Sequence, residues 1–287
     1  MNPFCLTSVH GWSQCHFPCR GRLRQANPSP SLGNRLPYGS SSIIDAMRTN
    51  EHRPAILMFA KQPVPGQVKT RLTTSLSPIA AANVHAACCR AMWRRLTRAE
   101  RSWTPILTYA PDDAGDAMAS LLPGAGSGYA LWPQGQGDLG DRLARGFQRA
   151  FSEGFGPVLA VGTDSPTVSA EALQRAIDSL GRADVCIGPT EDGGYYLLGM
   201  NRFTPALLAD IAWSTEQVYP QTLARASAVN LAVEPLPMGY DVDTPADLSR
   251  LVDELRRSGD NSDHRKLLAE VTAVIDARVD ECSGDNL

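Results

Sequence analysis

The chain has 287 residues, a formal net charge of −3, 43% hydrophobic and 20% charged residues, a balance that excludes a wholly disordered polypeptide. It carries no basic excess or stripe of the kind a nucleic-acid groove needs, and its longest apolar runs are about six residues, against the roughly 18 that span a bilayer. Seven cysteines are an odd number, and Cys88 and Cys89 are adjacent on a predicted helix, so free thiols in a reducing compartment, taken as the cytoplasm, fit better than a disulfide framework.

Residues 1–53 stand apart from the rest. Ser, Pro, Gly, Asn and Arg dominate, no acid precedes Asp45, and Asn27–Ser42 is made of structure breakers throughout. Two readings compete with a disordered extension. The acid-poor, Arg/Ser-rich composition is also that of an organellar transit peptide. Cys5, His10, Cys15, His16 and Cys19 are metal-ligand types, but their spacings match no standard zinc pattern. The expectation is a disordered segment, with Met47 as an alternative start.

From Ala55 the pattern becomes regular. Ala55–Ala60 is a short buried-strand run. Ser77 and Pro78 are an N-cap and first-turn pair, opening a helix to about Glu100 with Val84, Cys88, Ala91, Met92 and Leu96 on one side. Strands are predicted at Pro105–Ala110, Tyr129–Trp132, Pro157–Val161, Asp184–Pro189, Tyr195–Met200 and Asn230–Leu236. Helices are predicted at Asp112–Leu122, Leu139–Phe151, Ser169–Leu180, near Pro205–Ile211 and Thr215–Ala226, and at Thr244–Arg257. This alternation predicts a single α/β domain over residues 54–258, a mainly parallel sheet with helices on both faces. Residues 259–287 read as a polar linker and an amphipathic helix, with Leu267, Leu268, Val271, Val274 and Ile275 at helical spacing, packing on its own domain.

The histidines narrow the chemistry. Of His10, His16, His52, His85 and His264, only His85 lies within the predicted core domain. A Ser-His-Asp triad, a Cys-His dyad or a His-based zinc site has almost no material there. Carboxylates, lysines, arginines and backbone dipoles remain, which points to a Mg²⁺-type ion and a phosphate-bearing substrate. In a parallel sheet, ligands bind beyond the carboxyl ends of the strands, and four such ends carry polar sequences. After the first strand, Pro63, Pro65 and Gly66 turn a loop that presents Lys61, Lys69 and Arg71, either as a phosphate cradle or as an ordinary solvated loop. Asp164 stands at the end of the Pro157–Val161 strand, suited to a metal, a ribose hydroxyl or a helix cap. Glu191 and Asp192 precede Gly193 and Gly194, a plain hairpin turn or a recognition site for hydroxyls of a sugar-like acceptor. Asp241 and Asp243, two apart, share a face of an extended segment before Thr244 and Pro245 open a helix. Asp164 and Asp243 are placed to share one divalent ion with substrate phosphates and water. Gly135–Gly140 reads as G-x-G-x-x-G with Asp164 downstream, as in a dinucleotide-binding turn. Against a dehydrogenase, its strand is very short, runs into Pro133, and is not the first of the array.

Six motifs, Phe59–Leu72, Gly135–Leu143, Gly162–Pro166, Gly188–Gly199, Trp213–Val218 and Tyr240–Leu248, resemble in order and separation the bacterial DUF2064 proteins. Those are GT-A-fold proteins described as glycosyltransferases and found in some genomes beside arsenosugar-forming radical enzymes. The resemblance spans Ala55–Arg257. The wider superfamily includes nucleotidyltransferases such as phospholactate guanylyltransferase and the molybdopterin-guanine dinucleotide enzyme. It implies that Lys61, Gly66, Lys69 and Arg71 bind nucleotide phosphates and that Gly137, Asp138, Leu139 and Gly140 lie against the nucleobase. It implies too that Asp164 and Asp243 hold Mg²⁺ or Mn²⁺, and that Asp192, with Glu191, Gly193 and Gly194, lines the acceptor side. Asp164, Asp243 and Asp192 are the candidate catalytic residues. Glycosyltransferases of this fold usually show Asp-x-Asp where this chain has Asp164 and then Pro166, a departure closer to the nucleotidyltransferases. The expectation is a metal-dependent transferase moving a sugar from a nucleotide-sugar to a small-molecule acceptor. The alternatives are nucleotidyl transfer from an NTP to a phosphorylated small molecule, or a non-catalytic nucleotide-binding module.

Overall fold

The run Ala55–Lys61 (β1) is apolar on both of its faces, which suits only a strand in the middle of a covered sheet. The computed structural model, which describes residues 53–284 except 99 and 260, puts it there. Its partners are Thr104–Ala110 (β2) and Val158–Val161 (β4), both parallel to it, and Ala130–Pro133 (β3) continues in parallel beyond β2. With Val185–Pro189 (β5), Tyr195–Met200 (β6) and Val233–Pro235 (β7), the order across the sheet is β3-β2-β1-β4-β6-β5-β7. Only β6 runs against the others, antiparallel to β4 and β5. The reason is local: the five residues between Pro189 and Tyr195 suffice for a hairpin but not for the dozen or so that a parallel crossover needs.

Alternate strand residues feed opposite layers. On one face Ile56, Met58, Leu107 and Leu159 meet Pro78–Leu96 (α1), Gly115–Leu121 (α2) and Ala170–Ser179 (α4) through Trp93, Met118 and Leu173. On the other, Leu57, Ile106 and Val185 meet Leu139–Ser152 (α3) and Val218–Ala228 (α5) through Phe147 and Ala226. Each fully buried large side chain contributes about 1.5–3 kcal/mol. Pro245–Arg257 (α6) and Ser262–Gly284 (α7) cover the outer side of α1, where Leu251, Leu267 and Val271 pack with Val84 and Ala91. Glu270 binds both Arg90 and Arg94. The C-terminal helix therefore packs on its own domain. Among the described residues, no helix is long and apolar enough to cross a membrane.

The helix starts follow the sequence signals. Ser77, Ser169 and Thr244 each accept a bond from a first-turn amide, and Thr244 with Asp247, like Asp138 with Asp141, closes a capping box. Several boundaries differ from expectation: α1 ends at Leu96 rather than about Glu100, and α5 starts at Val218 rather than Thr215. α2 begins at Gly115 rather than Asp112, because Asp112 is used as an acceptor for the Gly135 amide. Pro205–Leu208 is one 3-10 turn, not a helix reaching Ile211. β7 is cut to three largely exposed residues, Val233–Pro235, with the Leu236 amide making a last bond to the Ile187 carbonyl at 2.8 Å. The segment bearing Asp241 and Asp243 is therefore not a strand end. It is held by an isolated bridge, in which Gly239 N–H donates to the Pro189 carbonyl at 2.8 Å and its carbonyl accepts from Glu191 N–H at 3.2 Å, and by Val242 N–H to the Asp164 carbonyl at 2.9 Å. The expectations for an N-terminal extension and for Met47 concern residues that lie outside the described ones.

Candidate active site

At the carboxyl edge of the sheet the loops after β1 and β4, the start of α3 and the segment before α6 enclose a cleft of about 610 Å³. Register explains the meeting of β1 and β4: Met58 pairs with Val161, so the chain from Gly162 onward runs beside Phe59–Lys61. Val68 and Leu72 are buried and pin the β1–α1 loop down on either side of Lys69. That residue adopts a left-handed conformation, φ 49° and ψ 38°, which costs a non-glycine residue on the order of 1–2 kcal/mol.

The turn delivers the Lys69 ammonium, whose side chain is 3% exposed, between two carboxylates. It contacts Asp164 Oδ1 and donates to Asp243 Oδ1 at 2.9 Å. Two oxygens on one nitrogen lie within about 6 Å of each other. Burial draws the Lys69 pKa down, but Asp164 and Asp243 raise it further, so the ammonium stays charged. Crowding by protein pushes Asp164 up, while Lys69 and then His85 hold it below the ordinary carboxylate value. Arg71 stands at the mouth, 68% exposed, with Nη1 4.0 Å from Asp243 Oδ2.

Two cleft residues were noted in the sequence but given no role in the site. Asp241 accepts the Ser165 hydroxyl at 2.6 Å. Burial, opposed by that bond and reinforced by Asp164 and Asp192, pushes its pKa up to about 6. Its signal was the two-residue spacing to Asp243, with buried Val242 between them facing the other way. His85 is 4% exposed, with Nε2 3.1 Å from the Lys61 carbonyl and Nδ1 3.9 Å from Asp164 Oδ1. The sequence offered it only as the lone histidine of the domain.

The expected nucleobase loop is partly in the cleft. Gly137, Asp138 and Leu139 line it, and Leu139 is an exposed apolar side chain there. Asp138 is committed to capping α3. Gly140 does not line the cleft: a Cβ on it would run into the indole of Trp213. Trp213 also sits edge-on to Tyr195, with centroids 6.4 Å apart. Gly193, at φ +85°, lies against the backbone of Glu216. The Trp213–Val218 motif thus receives two of the motif glycines by packing. Gly140→Ala is accordingly expected to lower stability by about 1–3 kcal/mol through overpacking, measured as a lower melting temperature. An unchanged melting temperature would show that Trp213 moves aside freely.

Most of the remaining expected residues face elsewhere. Lys61 lines the cleft, but Gly66 is the exposed tip of its loop, at φ +77° with open space around it. Glu191, expected on the acceptor side, is instead held in a two-pronged ion pair with Arg250 at 2.8 and 2.9 Å, and that guanidinium lies 3.8 Å over the Tyr240 ring. Asp192 closes the hairpin, accepting from Thr190 Oγ1 at 2.6 Å and from the Gly194 amide at 3.1 Å. It remains close enough to Asp241 to raise that residue's pKa.

Among the described residues, no three His, Cys, Asp or Glu side chains are gathered as a ready metal cage. Asp164 and Asp243 are a sparse, hard-oxygen pair already organised around a positive charge. That donor set fits Mg²⁺ or Mn²⁺, which keep water and phosphate ligands, and does not fit zinc.

A family model described as an uncharacterized protein conserved in bacteria (DUF2064) matches residues 94–215. A solved structure from Desulfovibrio desulfuricans G20, provisionally described as a nucleotide-diphospho-sugar transferase, is 33% identical. The match covers 79% of this chain and 98% of that one, with a TM-score of 0.70. A cytidylyltransferase from Leptospira borgpetersenii serovar Hardjo-bovis is 13% identical, over 79% of this chain and 96% of that one, with a TM-score of 0.47. The 4-diphosphocytidyl-2C-methyl-D-erythritol synthase from Anaerococcus prevotii is 11% identical, over 71% and 97%, with a TM-score of 0.49. No curated protein matches the chain.

Proposed function

The chain belongs to the DUF2064 family and has the fold of the nucleotide-diphospho-sugar transferases, and on that premise we propose that it is a metal-dependent transferase moving a sugar from a nucleotide-sugar to a small-molecule acceptor. The observation that carries the reading is the convergence of Lys69, Asp164 and Asp243 at the carboxyl edge of the sheet. Asp164 and Asp243 hold Mg²⁺ or Mn²⁺, which when bound neutralises charge on the departing diphosphate. Lys69, released from one carboxylate, and Arg71 bind its oxygens, with Lys61 at the edge of the cleft and Gly66 turning the loop. Gly137, Asp138 and Leu139 offer a flat, partly apolar wall for the base, and Gly140 lets α3 start close beside it. The hairpin of Asp192, Gly193 and Gly194, braced through Glu191, forms the acceptor side, where Asp192 and Asp241 are the carboxylates nearest an incoming hydroxyl.

One feature favours nucleotidyl transfer as the second reading. Pro166 stands where an Asp-x-Asp motif has its second acid, and its carbonyl is taken by buried Arg95 at 2.9 Å. The experiment is a thermal-shift screen of NTPs and nucleotide-sugars with and without Mg²⁺ or Mn²⁺, since a ligand of the folded state raises the melting temperature by mass action. Assays of the released product then separate the readings: nucleoside diphosphate for sugar transfer, pyrophosphate for nucleotidyl transfer. Binding with neither product from any acceptor would leave a non-catalytic nucleotide-binding module.

Arg71→Ala is expected to weaken nucleotide binding about 10- to 100-fold, the worth of a hydrogen bond to a charged group. Stability should stay within about 0.5 kcal/mol, as for surface substitutions. Titration calorimetry and melting curves check the two halves. Unfolding of the variant would make Arg71 a structural residue and remove it from the phosphate site.

A further inference from the structure

His85 has one ring nitrogen in use and one without a partner. Nε2 lies 3.1 Å from the Lys61 carbonyl, which can only accept, so Nε2 carries the proton and Nδ1 the lone pair. Nδ1 is buried with no hydrogen-bond partner, in the wall of the cleft, 3.9 Å from Asp164 Oδ1. An ionised carboxylate has no proton to offer it. The Lys69 ammonium is directed at Asp164 and Asp243. An unmet acceptor in a buried position is costly, and a leucine or phenylalanine would fill the same space beside Cys89, whose Sγ lies 3.6 Å from Nε2, without that cost. The donor it needs comes from the side of the cleft, next to Asp164.

We infer that His85 is a positioning residue for the divalent ion: its Nδ1 accepts a hydrogen bond from a water molecule coordinated to the ion on Asp164 and Asp243. The inference rests on the metal reading proposed above. A cation polarises its bound water into a strong donor, and Mg²⁺ and Mn²⁺ retain such water when protein ligands are few. Outer partners of this kind orient the inner ligands and typically contribute 10- to 100-fold to metal affinity. The Nε2 bond to Lys61 ties the ring to the end of β1, so the sheet itself sets the position of Nδ1.

Two amides separate the nitrogens, because Asn places its polar end near Nδ1 and Gln near Nε2. In the full-length protein, Mn²⁺ alone is the probe, its free concentration read by electron paramagnetic resonance, with a melting curve for each variant. His85→Phe and His85→Gln are expected to weaken Mn²⁺ binding about ten-fold or more, and His85→Asn to stay within about three-fold of the unsubstituted protein. Folded His85→Phe protein with unchanged affinity would overturn the inference and leave the metal reading standing. So would affinity kept by Gln and lost by Asn, which would make the Lys61 anchor the whole role. No saturable Mn²⁺ binding in the unsubstituted protein would sink both. A measurement without substitution guards against misfolded variants. In ¹⁵N-labelled protein the His85 Nδ1 resonance should move upfield as Mg²⁺ saturates, and an Nδ1 resonance that stays fixed at saturation counts against the inference.

Discussion

Lys69→Met should melt several degrees below the unsubstituted protein in metal-free buffer, and Mn²⁺ should return most of the loss. Removing one partner of a buried ion pair typically costs about 3–5 kcal/mol, because the other charge is left behind. Here the stranded charges are Asp164 and Asp243, whose side chains are 44% and 37% exposed. Water screens them, and about 1–3 kcal/mol is the better expectation. At about 2–4 °C per kcal/mol for a domain of this size, the drop is roughly 2–12 °C. The left-handed backbone at residue 69 is equally unfavourable for Met, so it does not contribute to the difference. A divalent ion replaces the lost charge between the same carboxylates, and Mn²⁺ should therefore stabilise the variant more than the parent, in which the ammonium competes for the site. Turnover should nevertheless fall by about 10²–10³-fold, the usual cost of one charge-stabilising donor.

The pH profile supplies the sign. Asp164 is depressed below its ordinary value of 3.8, so its share of stability is present above that value and lost as pH falls through the depressed one. Lys69 is raised above 10.5, so its share is present below 10.5 and lost only as pH rises through its folded value. The melting difference between parent and variant should be largest between about pH 4 and pH 10 and close in stronger acid. A variant that melts with the parent across this range, and gains no more from Mn²⁺, would show that the two carboxylates do not form a cation site.

What the sequence carries about this site follows the range of the forces involved. The strands were legible because Ala55–Ala60 and Tyr195–Met200 are short apolar runs bounded by breakers, and the helix starts because Ser77, Ser169 and Thr244 are local caps. The loops at the carboxyl edge were legible by their composition. The reversal of β6 was legible only as the hairpin alternative at Asp192–Gly194, although the five-residue link before it excludes a crossover. Long-range pairing is another matter. Lys69 and Asp243 are 174 residues apart, and nothing local records that the ammonium settles on the acids rather than standing free for phosphate. Glu191 was read as facing an acceptor because it follows a strand, yet Arg250 on α6 takes it. His85 was discounted as the lone histidine of the domain, too little material for triad, dyad or zinc chemistry, whereas a single buried ring can act through one unpaired nitrogen.

The two carboxylates offer a test in which kinetics and stability should depart from additivity in opposite directions. Asp164→Asn and Asp243→Asn each keep size and hydrogen-bonding capacity and remove one negative charge. On the shared-ion reading either change removes a ligand from a cation that supplies several kcal/mol of charge stabilisation, a loss on the order of 10³-fold in rate, together with metal-dependent nucleotide binding. Because both residues act through the same ion, the double variant should be little slower than either single one. Stability follows Lys69 instead. In each single variant the ammonium keeps one carboxylate, and the loss should be modest, about 1 kcal/mol. In the double variant a charge on a side chain only 3% exposed loses both of its ion-pair partners and keeps only the more distant field of Asp241, and a buried charge without a direct partner costs several kcal/mol. The double variant should therefore melt well below the point reached by summing the single losses, while its kinetic defect falls far short of their product. Rate losses that multiply, with stability losses that merely add, would mean that Asp164 and Asp243 act on separate partners, and the shared ion would have to be abandoned.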